Sequence, residues 1–232
     1  MAGAPLIRAD LHNHSYYSPD SIASPDALLR RAKRRGIDVL AVTDHNTTRG
    51  GHVARELAAE RYPEVRVIVG EEVRTRDGEI LGLFLEEDIP RDLSAEETLE
   101  RIKAQGGVAG APHPYDMFRS GLDHVVLERI APQLDFIEGL NARMVFASHN
   151  ERAVKLAEAH GLPLSAASDA HSPREVGRAW VEMPDFGTPA EFVQSLKSGT
   201  LHGRLSSPFI HWISRYATVR RRFGWRPPEC PP

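Results

Sequence analysis

The sequence predicts an α/β protein in which about seven βα units close into a barrel. Short apolar runs alternate with amphipathic stretches along most of the 232 residues. The apolar runs are continuous rather than alternating, which is typical of parallel strands buried on both faces. Five of these runs end in histidine or carboxylate residues. Side chains from five strands converge more easily at the carboxyl-terminal rim of a barrel than along an open sheet.

The predicted elements alternate along the chain. Strands are expected near 6–10, 38–43, 65–70, 79–85, 107–111, 134–138 and 163–167, and helices near 25–35, 50–60, 94–105, 122–131 and 148–160. Ser24 and Ser94 are followed by proline or by acidic residues, as at helix starts. Gly36, Gly106 and Gly161 stand where helices are expected to end. The turn-like segment 76–79 indicates a small hairpin between residues 71 and 85.

We expect one barrel domain over residues 1–205, with no internal repeat. Residues 206–232 change in character: an amphipathic helix over 210–223 precedes a proline-rich tail. This helix is expected to pack on or beside the barrel with a solvated basic face. The alternative is that its basic face contacts an RNA or DNA backbone. The basic residues are Arg215, Arg220, Arg221 and Arg222.

The composition is typical of a globular protein that recognises charge only locally. The formal net charge of −3 provides no global attraction to nucleic acid or to an anionic membrane. The single cysteine, Cys230, permits neither an intrachain disulfide nor a cysteine-based zinc site. No leader and no apolar stretch of membrane-spanning length is visible. We therefore expect a cytoplasmic protein without a membrane partner, whose oligomeric state the sequence leaves open.

The residues at the predicted strand ends carry the chemistry. They are Asp10, His12 and His14; Asp44 and His45; Glu71 and Glu72; His113; and Asp169 and His171. His12 and His14, at i and i+2, point to the same side of a strand and can reach one ion. One such pair is a weak signal, but five strand ends together predict a metal site. Mixed imidazole and carboxylate ligands suit Zn²⁺, Mn²⁺ or Fe²⁺.

Other residues near the rim are expected to support the site or bind substrate. Asp10 and Asp44 are expected to accept hydrogen bonds from ligand imidazoles and to fix their tautomers. Arg119 and Arg143 follow strands and carry the fork that suits phosphate oxygens, although each could be a surface residue. Asn141 ends the sixth strand and either contacts substrate or a metal-bound water, or has only a turn role.

These motifs, taken in order, resemble the signature of the polymerase-and-histidinol-phosphatase (PHP) family. The matching segments are Asp10-Leu11-His12-Asn13-His14, Thr43-Asp44-His45, Gly70-Glu71-Glu72-Val73, Pro112-His113-Pro114 and Ser168-Asp169-Ala170-His171. The resemblance implies a distorted (β/α)7, TIM-like barrel with the metal site at the carboxyl-terminal rim of its strands. It also implies two or three divalent ions and phosphoester hydrolysis.

The resemblance further implies which residues bind each ion. His12, His14, Glu72 and Asp169 would hold the first ion, and Asp20, His45 and His171 the second. Glu72 would bridge to a third ion that it shares with His113. Where relatives supply another histidine near the fourth strand, this chain has Glu79. Either Glu79 is a ligand, or the third site is weak or empty. Without the resemblance, Asp20 would be read as a turn residue.

The expected function is metal-dependent hydrolysis of a phosphorylated small molecule or nucleotide. Clustered ions would lower the pKa of a bridging water, and the resulting hydroxide would attack phosphorus. Asp20 or His171 would act as the acid-base group beside the leaving oxygen. Two alternatives stay open. One is a 5′→3′ exonuclease on short RNA or DNA, and the other is a non-catalytic metal-binding accessory module.

Overall fold

A nine-stranded sheet curves into a nearly closed barrel surrounded by helices. The computed structural model describes residues 5–116 and 121–228. The strands are β1 Leu6–Asp10, β2 Val39–Val42, β3 Arg66–Arg74, β4 Glu79–Leu83, β5 Val108–Ala111, β6 Phe136–Asn141, β7 Leu164–Ala167, β8 Ala179–Pro184 and β9 Thr200–Gly203. The helices are α1 Pro25–Arg35, α2 Arg49–Arg61, α3 Ala95–Ala104, α4 His124–Ile130, α5 Ala147–His160, α6 Pro189–Lys197 and α7 His211–Arg222. The predicted α/β barrel class is confirmed.

The local signals for helix ends are visible in the structure. Ser24 caps α1, where its side chain accepts a hydrogen bond from the Ala27 N–H. Ser94 and Glu97 form a reciprocal capping box at the start of α3. Gly36 and Gly161 end α1 and α5 in the left-handed conformation, with φ of 65° and 64°. These helix boundaries therefore follow from short-range sequence signals.

The strand order confines the expected parallel pairing to part of the sheet. The order is β7-β6-β5-β4-β3-β2-β1-β8-β9, and β4 is antiparallel to both β3 and β5. The cause is the short turn after β3, in which the Thr75 N–H donates to the Gly78 carbonyl over 2.8 Å. A turn of this length leaves no room for a crossover helix, so the two strands must run in opposite directions. The predicted hairpin is thus present.

The sequence reading missed β8, α6 and β9. Burial alternates strictly along β8, with Val181 and Met183 buried and Glu182 between them half-buried. This period of two is a strand signal that was available in the sequence. β8 pairs with β1 in antiparallel fashion, with Ile7 opposite Met183. It therefore covers the edge of β1 near its amino-terminal end.

The barrel closes at the opposite end of β1 through two backbone hydrogen bonds. Asp169 N–H donates to the His12 carbonyl over 2.9 Å, and His14 N–H donates to the Ala170 carbonyl over 2.9 Å. The segment after β7 is thereby joined to the segment after β1. Both segments carry predicted metal ligands, so the closure itself places those ligands side by side.

The barrel interior is a hydrophobic cluster that draws residues from β1 to β8 and from α6. Phe136 and Phe192 are completely buried in it and meet edge to face, with ring centroids 6.3 Å apart. A Cβ atom at Gly110 would lie 2.2 Å from the Phe136 ring, so this strand position requires glycine. In the described ranges, no helix combines the length and apolar character needed to cross a membrane.

Glu71 is a completely buried carboxyl group whose pKa should affect stability. Its Oε2 accepts a hydrogen bond of 2.8 Å from the Ile89 N–H, and burial together with the charge of Asp88 raises its pKa from 4.5 to about 8. The folded state therefore binds a proton that the unfolded state releases above about pH 4.5. Stability from this group is present at low pH and is lost as pH rises toward 8.

We expect the unfolding free energy of the wild type to fall by on the order of 2–4 kcal/mol more than that of Glu71→Gln between pH 5 and pH 8. The measurement is urea unfolding at both pH values. Glu56→Gln changes an exposed carboxylate on α2 and is the control. The same pH dependence in wild type and Glu71→Gln would contradict the assignment of this group.

Candidate metal centre

The rim of the barrel holds a small polar cavity lined almost entirely by predicted metal ligands. Its volume is about 180 Å³, and its lining residues are Asp20, His45, Glu72, Glu79, His113, Asp169 and His171. The remaining two predicted ligands, His12 and His14, are completely buried and contact Glu72. All nine predicted ligands are therefore brought to one place, from the ends of β1, β2, β3, β5 and β7, the start of β4 and the loop after β1.

The first group of ligands is compact enough to share one ion. The Nε2 atoms of His12 and His14 lie 3.0 Å apart, and each is 3.3 Å from Glu72 Oε2. Asp169 Oδ1 lies 3.5 Å from the His14 nitrogen and 4.0 Å from the His12 nitrogen. Two donors bound to one zinc ion at its usual ligand distances are roughly 2.9–3.6 Å apart. These four side chains therefore fit a common ion with little adjustment.

The second group lies at the mouth of the cavity. Asp20 Oδ2 is 3.0 Å from His171 Nε2 and 3.5 Å from His45 Nε2. The loop that carries Asp20 is fixed by Ser21, whose hydroxyl donates to the carbonyls of His14 and His171. Asp20 is thus held against two imidazoles rather than left in an exposed turn.

Glu72 lies at the centre of the site and reaches the third group. Its Oε1 is 2.9 Å from His113 Nε2, and its Oε2 is 3.2 Å from His45 Nδ1. Glu79 Oε1 approaches the same His45 nitrogen at 3.7 Å. His45, Glu72 and Glu79 therefore form a further compact donor set. One carboxylate that faces donors on several sides has the geometry of a bridging ligand.

The carboxylates of the cavity differ in how well their charge is balanced. Burial opposes the ionisation of Glu72, but the imidazoles of His12 and His45 outweigh it and hold its pKa well below the usual range. Burial raises the pKa of Glu79 to about 7, and the charge of Glu72 adds to this effect. A cation near Glu79 would favour its ionised form.

The two imidazoles nearest the cavity mouth have opposite pKa shifts. Burial opposes protonation of His45, yet Glu72 and Asp20 outweigh it and raise its pKa to about 10. Burial lowers the pKa of His171 to about 4, and the positive charge of Arg143 acts in the same direction. His171 is therefore neutral near pH 7, which is the form that binds a metal or accepts a proton.

The arrangement of the donor atoms suits bound divalent cations better than it suits hydrogen bonds among the donor side chains. Two imidazole nitrogens face each other across 3.0 Å at His12 and His14, which requires a proton or a cation between them. His113 Nδ1 and Asp20 Oδ1 are buried, and neither has a hydrogen-bond partner in the described part of the chain. Unpartnered buried polar atoms are costly unless a ligand or ion satisfies them. The cavity thus has the chemistry of a metal centre.

The expectation that Asp10 and Asp44 bond directly to imidazoles is wrong. Asp10 accepts hydrogen bonds from the Ser168 N–H and hydroxyl and from the Gly177 N–H. Asp44 accepts from the backbone and hydroxyl groups of Ser15 and Ser18. These loop groups occupy the accepting oxygens of both carboxylates, so neither carboxylate bonds directly to a ring nitrogen. Both aspartates therefore hold the loops that carry the ligands.

Asp44 acts on His14 indirectly, through Ser18. The Ser18 hydroxyl donates its only hydrogen to Asp44 Oδ1 over 2.7 Å, and it lies 3.0 Å from His14 Nδ1. Because that hydrogen is used, His14 must donate from Nδ1. This assignment leaves the lone pair of Nε2 directed at the first group of ligands.

Glu138, rather than Asp10 or Asp44, contacts a ligand imidazole directly. Its Oε1 lies 3.2 Å from His12 Nδ1, and its Oε2 accepts from the His113 N–H over 2.7 Å. The side chain is completely buried on β6. A carboxylate within the apolar run Phe136-Ile137-Glu138 was the signal that could have revealed it. It orients two ligands at once, in the way that outer carboxylates commonly do at metal sites.

The predicted substrate contacts at the end of β6 and just after it bind other protein groups. Asn141 donates to Glu138 Oε2 over 2.8 Å and to Asp169 Oδ2 over 3.0 Å, so it orients a ligand. Arg143 is buried, and it donates to Glu175 over 3.0 Å and to Ser214 over 2.8 Å. Its guanidinium therefore acts on the cavity through its charge. Arg119 lies outside the described residues.

α7 packs along the edge of the rim. Ser214 on α7 contacts Arg143, and Arg221 donates to the carbonyls of Tyr16 and Tyr17 in the loop before Asp20. The inward face of α7 thus carries an arginine and small residues. The expected solvated basic face is only part of its surface, because the outward side is mainly apolar.

The fold and the site define a barrel protein with a buried cluster of histidines and carboxylates suited to metal ions. Residues 10–171 match the sequence profile of the PHP domain, and residues 147–201 match the profile described as PHP-associated. The chain belongs to the PHP family, whose phosphoesterases are metal-dependent.

Comparison with individual proteins agrees with this assignment. An uncharacterised protein of Methanocaldococcus jannaschii is 46% identical over 146 residues, which are 59% of this chain and 82% of that protein. A 5′-3′ exoribonuclease of Haemophilus influenzae is 33% identical over 119 residues, 46% of this chain and 42% of the enzyme. The fold resembles that of a two-domain Bacteroides vulgatus protein described as containing a predicted PHP-like metal-dependent phosphoesterase. The TM-score is 0.71 at 19% identity, over 88% of this chain and 66% of that one.

Proposed function

We propose that the protein hydrolyses phosphoesters in a metal-dependent reaction, with a small phosphomonoester or a nucleotide as substrate. The observation that carries this proposal is the convergence of histidines and carboxylates on a cavity of about 180 Å³. This volume is below the roughly 300–1,000 Å³ of sites that enclose a whole ligand. A phosphate group fits inside, and the rest of the substrate would lie across the rim.

The proposed ligand sets follow the three groups of donors. His12, His14, Glu72 and Asp169 would hold one ion, Asp20, His45 and His171 a second, and Glu72, His113 and Glu79 a third. When bound, zinc, manganese or iron ions would lower the pKa of water and polarise a phosphoryl oxygen. Mixed imidazole and carboxylate donors are compatible with each of these ions.

Side chains at the cavity mouth would handle the proton of the leaving group. Asp20 is one-quarter exposed, whereas Glu72 and Asp169 are buried. Its Oδ2 faces His171, and its buried Oδ1 has no partner among the described residues. We propose that the Asp20 carboxylate, whose pKa the imidazoles of His171 and His45 hold well below the usual range, takes a proton from the attacking water and passes that proton to the departing oxygen. Burial, together with the charge of Arg143, lowers the pKa of His171 and would keep His171 neutral during this step.

Two other functions remain as alternatives. A 5′→3′ exonuclease is supported by the similarity to the Haemophilus influenzae exoribonuclease and by arginines beside the site. A non-catalytic metal-binding accessory module would be expected to have lost ligands. The compact donor groups argue against that alternative.

The test is a phosphatase panel on protein reconstituted separately with Mn²⁺, Zn²⁺ and Fe²⁺. Substrates are nucleoside 5′-phosphates, 3′,5′-bisphosphates, histidinol phosphate and 5′-phosphorylated oligonucleotides. We expect phosphate release that depends on added metal and stops with a chelator. Absence of hydrolysis with every substrate and metal would favour the accessory module.

We propose that Glu79 is a ligand of the third ion. Glu79→Gln is expected to bind one ion fewer per chain than the wild type, because the amide removes the charge beside His45 and Glu72. Metal content after gel filtration is the measurement, and Glu87→Gln on the exposed surface is the control. Equal metal content in Glu79→Gln and wild type would remove Glu79 from the ligand set.

A further inference from the structure

A band of arginines lies beside the metal site and is not used by the proposed reaction. The arginine band consists of Arg30, Arg31, Arg34, Arg35, Arg174, Arg178 and Arg204. Its members come from α1, from the loop after His171 and from the end of β9. Because Arg174 is three residues from His171, their Cα atoms are at most about 11 Å apart. The band therefore begins close to the cavity mouth.

Most of the positive charge in the band is not neutralised. Arg30 lies 3.8 Å from Asp26, and Arg35 donates to the Gly177 carbonyl. Arg31, Arg34 and Arg174 form no ion pair with a carboxylate among the described residues. Partial burial lowers the pKa of Arg31, and repulsion from Arg35 and Arg34 lowers it further. Clustered arginines without counterions indicate a surface that binds anions.

The band is recessed into cavities that share arginines. Arg30, Arg31, Arg34 and Arg174 surround a cavity of about 290 Å³. Arg174 and Arg178 also line a cavity of about 330 Å³, whose other wall includes Phe209 and Ile213. Since Arg174 lines both cavities, the two cavities adjoin, one on the side of α1 and the other on the side of α7. Adjoining cavities of this kind can take several phosphate groups in a row.

α7 adds an exposed aromatic face beside these cavities. The aromatic face consists of Phe209, Trp212, Tyr216, Val219 and Phe223, which are between 44% and 89% exposed. The residues are spaced three and four apart, so they form one stripe along the helix. The buried residue of the helix is Ala217. In most helices the large apolar residues lie on the buried face. In α7 they lie on the exposed face, and the buried residue is small, which indicates that the exposed face is a binding surface.

We propose that the arginine band and the aromatic face together bind a single-stranded polynucleotide whose end enters the metal site. Surfaces for single strands combine arginines that follow the backbone with aromatic rings on which bases stack. The arginine band and the aromatic face supply these two features, and they meet at Phe209. The inference rests on the proposed metal-dependent phosphoester hydrolysis, and within that reaction it selects the polynucleotide of the exonuclease alternative as the substrate class.

Other occupants fit the surface less well. A second copy of the chain would bring α7 against itself, and residues 211–228 contain five arginines and no acidic residue. Like charges would therefore oppose that pairing. An anionic membrane would meet the aromatic face, but a flat leaflet would not reach the recessed cavity around Arg31. Only a flexible polyanion satisfies both parts of the surface.

The test measures binding separately from hydrolysis. A 12-nucleotide, 5′-phosphorylated oligouridylate with phosphorothioate linkages carries a 3′ fluorophore, and its anisotropy is titrated with metal-loaded full-length protein. We expect the Kd to rise steeply with salt. Arg31→Gln/Arg34→Gln should raise the Kd about tenfold and reduce the slope of log K against log salt by about 1.4. Arg76→Gln/Arg129→Gln, which removes two arginines already paired with Glu97 and Glu96, is the matched control.

A second variant tests stacking independently of charge. Trp212→Ala/Tyr216→Ala should raise the Kd about tenfold or more without a change in the salt slope. Both double variants should hydrolyse p-nitrophenyl phosphate as the wild type does, because neither changes a residue that lines the metal cavity. Circular dichroism checks that they remain folded.

The outcomes separate this inference from the proposed function. If the wild type hydrolyses p-nitrophenyl phosphate but does not bind the oligonucleotide, the strand surface is refuted and the function stands. Strand binding without hydrolysis of any phosphoester refutes the function alone. Equal binding by Arg31→Gln/Arg34→Gln and its control refutes the arginine band. Binding to phosphatidylglycerol vesicles, or dimerisation abolished by Trp212→Ala/Tyr216→Ala, in place of strand binding assigns the surface to a membrane or to a second copy.

Discussion

His12→Ala and Asp169→Ala should each lower kcat/KM for phosphoester hydrolysis by about a thousandfold or more. Metal ions contribute several kcal/mol of charge stabilisation in such reactions, and every 1.4 kcal/mol is a factor of ten. Both side chains belong to the first donor group, in which His12 Nε2 and Glu72 Oε2 lie 3.3 Å apart. Neither alanine can replace the lost donor. Each variant should also bind at least one ion fewer than the wild type.

Activity and metal content must be measured on the same preparations. Metal analysis after reconstitution shows whether activity falls because an ion is lost. His124→Ala, which removes an exposed imidazole on α4, is the control and should behave as the wild type. Full activity together with full metal content in both His12→Ala and Asp169→Ala would refute the proposed function.

Glu138→Gln should weaken metal binding by about 10–100-fold, the usual effect of removing an outer carboxylate. The wild-type carboxylate accepts from the His113 N–H and from the Asn141 amide through one oxygen, and it lies 3.2 Å from His12 Nδ1 through the other. A glutamine has only one accepting atom for these groups. In either orientation of the amide, its NH₂ group would face one of the N–H groups from which the wild-type carboxylate accepts a hydrogen bond.

The measurement for Glu138→Gln is metal retention against a chelator of known affinity, together with kcat/KM at saturating metal. If Glu138 orients His12, activity should recover in part when excess metal is supplied. A merely structural role would instead lower the unfolding temperature without changing relative metal affinity. Glu158→Gln on the exposed face of α5 is the control. Unchanged metal retention in Glu138→Gln would contradict the assignment.

Much of the candidate site could be predicted because its information is local. His12 and His14 share one side of an extended segment, so a spacing of two residues is enough to pair them. Asp169 and His171 repeat this spacing after β7. The apolar runs before them specify buried strands, and buried strand ends in an α/β barrel meet at one rim. The family motifs then added Asp20 and Glu79, which no local rule would have selected.

The groups that support the ligands could not be predicted in this way. Glu138 and His12 are separated by 126 residues, and Arg143 and Ser214 by 71. Such contacts depend on how the barrel closes and on where α7 packs. The spacing of residues in the sequence contains no information about barrel closure or about the position of α7. For the same reason, Asp10 and Asp44 were assigned to imidazoles, although nearby serine and glycine donors surround them in the folded chain.

The sequence by itself determined the barrel class, the order of the elements as far as β7 and, with the family motifs, the nine residues that face one another at the rim. Strand burial, helix caps and residue spacing act over a few positions and are therefore readable in one dimension. Tertiary structure alone decided that β8 pairs with β1 in antiparallel fashion, that Glu138 holds two ligands and that Arg143 is already paired. It also decided that α7 turns an aromatic face outward beside the arginine band. These features depend on packing between distant segments, where burial and charge balance select one arrangement among many that local rules allow.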